Sequence, residues 1–191
     1  IYTTSQSSAA SDVYKRQLTE LTAAGGRFRL VPGKDPRDRH GRLLAHVYDP
    51  SGRSVAEELL RLGLAYQNPF PPNLRHLDCY RRAEDAAREH SRGLWAAPAL
   101  DAEQIPGGEQ GFRRIEGRVA SVARRGNALQ IQLRGPLALR VRDQDIHHFP
   151  KRLLDALPGA RIEVRGWLYR WRGHPRLRLR HPAALRVLKA D

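Results

Sequence analysis

Residues 35–65 read DPRDRHGRLLAHVYDPSGRSVAEELLRLGLA, and their spacing predicts strand, turn, strand, turn, helix. Asp38-Arg39-His40-Gly41-Arg42 is a polar turn in which Gly41 is free to take a positive φ. Leu43 to Tyr48 is a short apolar strand. Asp49-Pro50-Ser51-Gly52 is a second turn, with Pro and Gly at its inner and closing positions. Ser54 and Glu57 have the spacing of a capping box at the start of a helix. Leu59, Leu60 and Leu62 supply its buried side, and Gly63 ends it.

This stretch resembles the staphylococcal nuclease (thermonuclease) family. It carries Asp38, Gly41 and Arg42, then Val55, Glu57, Leu59, Gly63, Leu64 and Ala65 in register, with His40 where the family usually has Tyr. The likeness runs on through Asn73 to CYRRAEDAAREHSRGLW, which ends at Trp95, and covers residues 18–96. Several short matches in one order are more specific than any single one.

The resemblance implies calcium-dependent hydrolysis of DNA or RNA phosphodiesters. Arg42 matches the family arginine that donates to the scissile phosphate, a task suited to a planar guanidinium. Arg39 and His40 flank it and could touch the same nucleotide, while Asp38 orders the turn. The family's calcium-binding aspartates, second phosphate-binding arginine and catalytic glutamate lie upstream, on a segment that does not occur here. The chain as written is therefore expected to hold no Ca2+ ligands and to lack metal-dependent catalysis, as a fragment of a complete nuclease. The alternative is a non-catalytic nucleic-acid-binding protein built from tandem OB-like units. The resemblance is also compatible with a bacterial periplasmic, secreted or membrane-associated protein.

The chain has 191 residues, one Cys and 40% hydrophobic content. That suffices for one or two cored domains and excludes an internal disulfide or a multi-cysteine zinc site. No run approaches a membrane span. The net charge of +14 is unevenly placed. Residues 18–111 hold 13 basic and 13 acidic residues, whereas residues 112–191 hold 19 basic and 6 acidic, a balance of 19 − 6 = +13. Such a basic domain favours a polyanionic partner, DNA or RNA, through phosphate contacts and counterion release. Arginine-rich codon usage would raise the total but would not confine the excess to one region.

Residues 1–17 include SSAASDVYKRQ, which looks like translated adapter sequence, and are set aside as a non-native leader. Leu18 to Ala24 reads as the end of a helix and Phe28 to Val31 as a strand. Asn68 to Asn73, with three prolines, is a loop. Leu77, Tyr80, Ala83, Ala87 and His90 recur at helical spacing, and Trp95 folds back onto the core. Tyr66 and Phe70 suit either base stacking or core packing. Cys79 reads as a small buried hydrophobe. Residues 97–111 (APALDAEQIPGGEQG) form a linker by composition.

From residue 112 the pattern alternates. Strands are marked by Ile115, Gly117 and Val119; by Leu129, Ile131 and Leu133; and by Leu137, Leu139 and Val141. A short helix over Asp145 to Leu157 follows, with Pro150 at a kink or first turn. Ile162, Val164 and Leu168 mark a fourth strand, and Leu177 and Leu179 a fifth that Leu185 and Val187 continue. This order predicts an OB-fold. The whole chain is thus expected to be mainly β with helices, an α+β arrangement in which a partial nuclease-type barrel precedes a second OB-like barrel. Alternation puts Arg165, Trp167, Tyr169 and Trp171 on one strand face and Arg176, Arg178 and Arg180 on another, while Arg140 and Arg142 face outward beside Gln130 and Gln132. Aromatic rings can stack on bases while arginines follow phosphates. Alternatively, Trp167 and Trp171 pack against the nuclease-like domain while the arginines are simply solvated, or the aromatic strand docks a protein partner. His147-His148 lacks a partner at metal spacing.

Overall fold

A computed structural model describes Thr19, residues 27–38 and residues 40–188. The leader at 1–17, Arg39 and, apart from Thr19, the helix expected at Leu18–Ala24 lie outside the described residues. The described chain is mainly β-sheet with a few short helices, arranged as two compact units that divide between Ala97 and Pro98.

In the first unit, β1 (Arg29–Arg37) and β2 (Leu43–Tyr48) form an antiparallel hairpin. β1 runs six residues further than the apolar pattern suggests. The register slips between Pro32 and Arg37, as expected where a proline offers no ladder donor. The Asn73 side chain takes over the pairing: Asp35 N donates to its Oδ1 at 2.9 Å and its Nδ2 donates to Asp35 O at 2.8 Å.

Helix α1 (Val55–Arg61) starts as its cap residues dictate, with Ser54 Oγ accepting from Glu57 N at 3.3 Å. Helix α2 (Leu77–Glu89) packs on it. Val55, Leu59, Leu60, Ala65, Tyr80 and Ala83 form the core between them. Trp95 is buried, edge-on to Tyr66 with ring centroids 5.1 Å apart, and Tyr66 Oη donates to Leu94 O at 3.0 Å. Tyr66 is therefore a core residue, whereas Phe70 is exposed. The helix face differs from the spacing prediction in three places. His90 is exposed, Cys79 is only half-buried, and Glu84 is buried. Glu84 can be there because its Oε1 accepts from the buried Gln67 N at 2.8 Å.

In the second unit, β4 (Gly111–Arg124), β5 (Ala128–Leu133), β6 (Ala138–Arg142), β7 (Arg161–Trp171) and β8 (His174–Leu179) pair in the order β4-β5-β6-β8-β7, and β4 also pairs with β7. That closes a five-stranded barrel, with β6 and β8 parallel and its other neighbours antiparallel. Three strands, a helical crossover and two strands give the OB arrangement. The crossover is two short helices, α3 (Asp143–Ile146) and α4 (Lys151–Asp155), with Pro150 as the cap residue of the second. Ile115, Ile131, Leu139, Val164, Leu168 and Leu177 fill the interior.

Two segments differ from the sequence reading. Leu185–Val187 does not continue the fifth strand. The 3-10 turn Pro182–Ala184 reverses the chain, and Leu185–Val187 becomes a separate strand, β9, antiparallel to β7. Within residues 97–111, β3 (Leu100–Asp101) pairs with β4 and Ala102 is fully buried on the barrel. Gly117 admits it, since a Cβ there would lie 2.6 Å from the Ala102 Cβ.

Candidate functional site

The β1–β2 turn is built around the Asp38 carboxylate. Its Oδ1 accepts from His40 N at 2.8 Å and Arg42 N at 3.0 Å, and its Oδ2 accepts from Arg42 Nε at 2.6 Å. Gly41 N donates to Asp38 O at 2.9 Å, and Asp38 N to Arg42 O at 3.0 Å. Gly41 takes the left-handed φ of 77° that closes the loop. Burial pushes the Asp38 pKa up, but hydrogen bonds from the Arg42 side chain and from the Arg42 and His40 amides outweigh it and hold the carboxyl below its ordinary range.

The result is an arginine fixed at its Nε with its far end in water. The Arg42 side chain is 73% exposed, and its terminal nitrogens make no hydrogen bond among the described residues. A guanidinium so held presents paired donors to a phosphate. His40 is exposed beside it. A calcium ion takes six to eight oxygen ligands, and the carboxylate at this turn does not fit that need, because both Asp38 oxygens face N–H donors. Among the described residues no three His, Cys, Asp or Glu side chains converge on a metal position.

A second turn repeats the first, a relationship the sequence reading missed although both segments have the spacing Asp-x-x-Gly-Arg. Asp49 Oδ1 accepts from Ser51 N and Arg53 N, each at 2.9 Å, and Oδ2 from Arg53 Nε at 2.8 Å. The Ser51 hydroxyl adds a bond of 2.7 Å. That bond leads the causes, burial opposes it, and the Arg53 bonds contribute; together they lower the Asp49 pKa to about 2. Arg53 borders a groove of about 290 Å³ with Tyr48, Ser54, Glu57, His76 and Tyr80. Behind it, His46 Nδ1 bonds Tyr80 Oη and Tyr48 Oη bonds His76 Nε2, both at 2.8 Å.

The family model described as "Staphylococcal nuclease homologue" matches residues 5–97. The match takes in 93 of the chain's 191 residues, so this part of the chain is similar to the staphylococcal nuclease family. Relatives of this domain include the SPbeta prophage-derived endonuclease YokF of Bacillus subtilis (strain 168), 40% identical over 73 residues, which are 37% of this chain and 24% of that protein. An uncharacterized endonuclease of Escherichia coli O157:H7 is 37% identical over 86 residues, 40% of this chain and 50% of the relative. The thermonuclease of Staphylococcus hyicus is 32% identical over 88 residues, 46% of this chain and 48% of the relative. The chain thus spans about a quarter to a half of these relatives. No described helix is long and apolar enough to cross a membrane.

Outside the nuclease-family domain, the structure sorts the arginines and aromatics of the second unit. Trp167 and Trp171 are 56% and 45% exposed. Tyr169 is half-buried and faces Arg176 across the β7–β8 pair. Arg142 is exposed, and Arg140 donates weakly to Arg125 O at 3.4 Å. Arg180 is half-buried. Two expected binding residues are engaged internally. Arg165 is buried and donates to Ala183 O at 2.9 Å, because the chain reversal before β9 covers that end of β7. Arg178 donates to Asp145 Oδ2 at 2.6 and 3.2 Å. Arg172, which the sequence reading did not select, lies with Arg176 over the Trp171 ring, at 4.6 and 4.1 Å from its centroid.

Proposed function

We propose that the nuclease-family domain acts in the hydrolysis of nucleic-acid phosphodiesters, and that the basic second unit binds the nucleic-acid chain. The observation carrying the first half is the Arg42 tether, with Nε held by Asp38 at 2.6 Å and the remaining donors outward. Arg42 pairs with two oxygens of the scissile phosphate and opposes the negative charge that grows as the nucleophile adds. Asp38 holds that geometry without touching substrate. Calcium dependence is what likeness to the nuclease family implies for the complete enzyme.

The second half is supported by the charge of residues 112–191, 19 basic against 6 acidic, on a closed OB-type barrel. On this reading Arg140, Arg142, Trp167, Tyr169, Trp171, Arg176 and Arg180 are the surface candidates, with His40 beside Arg42 and Arg39 next to them in sequence.

The test is a nuclease assay on the complete product of the reading frame, with and without calcium. Arg42→Ala is expected to lower kcat by about 10²–10³-fold, the usual cost of one transition-state donor, with little change in substrate binding. Unchanged turnover removes Arg42 from the mechanism. Binding without cleavage under all conditions establishes the tandem binding protein instead.

A further inference from the structure

The outer face of the second barrel has a defined centre at the β7–β8 hairpin. Trp171 and His174 are its last pair, so Arg172 and Gly173 alone make the turn. Both have positive φ, 50° and 80°. A two-residue turn of this kind prefers Asn-Gly, and arginine at its first position carries backbone strain, which concentrates where function retains it.

The strained residue lays its guanidinium over Trp171, 4.6 Å from the ring centroid, and Arg176 on β8 does the same at 4.1 Å. The Arg176 Nε is buried and has no hydrogen-bond partner among the described residues, so the aromatic face is what holds it. A ring with two guanidiniums over it offers cations outward, not a π-surface. Trp167, two alternations back on the same strand, is the more exposed ring.

The row also has direction. Arg176 neighbours Ala138 on β6, which neighbours Gln132 on β5, which neighbours Ser121 on β4. A small residue beside the clamp and polar residues beyond it leave a strip across four strands without an acidic side chain. Charge complementarity therefore favours a polyanion over a basic or apolar protein surface. The exposed Trp167 ring favours one with unpaired bases.

We propose that Arg172 and Arg176 form a two-pronged clamp on the backbone phosphates of a single-stranded nucleic acid. Trp171 is their positioning residue and not a base-stacking platform. This rests on the reading of the second unit as a nucleic-acid binder.

The test uses the full chain and fluorescein-labelled oligothymidylate, with anisotropy titrations at several salt concentrations. Each phosphate contact on a single strand contributes about 0.7 to the slope of log K against log salt. Arg172→Gln and Arg176→Gln are each expected to flatten the slope by about that amount. Trp171→Leu should flatten it by more than either, adding Arg172→Gln to it should change nothing, and Trp171→Phe should keep most of the slope. A thermal melt of each variant checks folding. A Trp171→Leu variant that binds more weakly at unchanged slope, additively with Arg172→Gln, makes Trp171 a stacking residue and overturns the proposal. Unchanged slopes in both arginine variants overturn the clamp while leaving the nucleic-acid reading intact. Failure of the unaltered chain to bind overturns both. Equal affinity for a duplex overturns the single-strand assignment.

Discussion

Gly63 and Gly93 meet backbone to backbone. Leu94 N donates to Gly63 O at 2.8 Å. A Cβ on Gly63 would lie 2.2 Å from Arg92 O, and one on Gly93 would lie 2.4 Å from Gly63 O. Both residues have left-handed φ, 70° and 52°. The contact joins the end of α1 to the end of α2 and sets Trp95 against Tyr66. No side chain fits between these segments, so their separation is fixed by the absence of two Cβ atoms.

Gly63→Ala should therefore cost more than conformational strain alone. Gly52 is the control: its φ is 84° but nothing lies within 4 Å of its Cβ position. Gly52→Ala is expected to lose about 1–2 kcal/mol, the cost of a left-handed alanine. Gly63→Ala adds a clash with a backbone carbonyl that cannot rotate away, and should lose about 3 kcal/mol or more. Urea unfolding of the two variants checks this. Equal losses would mean that the segments separate freely.

Asp38→Asn separates positioning from contact. The amide can still accept from the His40 and Arg42 amides, but it offers Arg42 Nε no charge. Turnover should fall by about tenfold to a hundredfold, since small misplacements of a reacting group cost that much. KM should move little. A loss in binding equal to the loss in kcat would show that Asp38 acts on the ground state.

The Asp38 turn was legible because all its determinants are consecutive: a carboxylate, a glycine for the positive φ, and an arginine four residues on. The barrel order was legible because each strand buries one face and leaves the other wet, which writes a period of two into the chain. What covers an outer face is not written that way. Arg165 and Arg178 alternate as surface residues do, yet Ala183 and Asp145, reached only through the fold, engage them. Residues 100–105 have the composition of a linker, and their docking depends on Gly117 leaving room for Ala102. Glu84 breaks the helical period because its partner is the Gln67 backbone, 17 residues away.

Acid should weaken the first unit through His46. Burial first, then electrostatic repulsion from the His76 and Arg75 side chains, depresses its pKa below the ordinary 6.5. A depressed histidine pKa means the folded chain binds fewer protons than the unfolded chain. Stability is therefore complete above about pH 6.5 and falls as the pH drops below it, until His46 itself protonates in the folded state. The readout is Trp95 fluorescence in a Trp167→Phe/Trp171→Phe background, melted across that range. His46→Gln should flatten the profile between pH 7 and 5. A profile equally steep in this variant would assign the acid sensitivity elsewhere.

Asp145 and Arg178 make the clearest stability prediction for the second barrel. Asp145 is 4% exposed, and the Arg178 side chain 18%. Two nitrogens of Arg178 reach Asp145 Oδ2, tying α3 to β8 across the crossover. Removing one member leaves a desolvated charge, and Asp145→Ala should cost about 3–5 kcal/mol. Replacing both, Asp145→Leu with Arg178→Leu, should cost much less, because an apolar pair removes the desolvation penalty along with the attraction. Urea unfolding of the single and double variants forms the cycle. A double variant as unstable as Asp145→Ala would mean that the hydrogen-bond geometry, and not charge compensation, holds α3 in place.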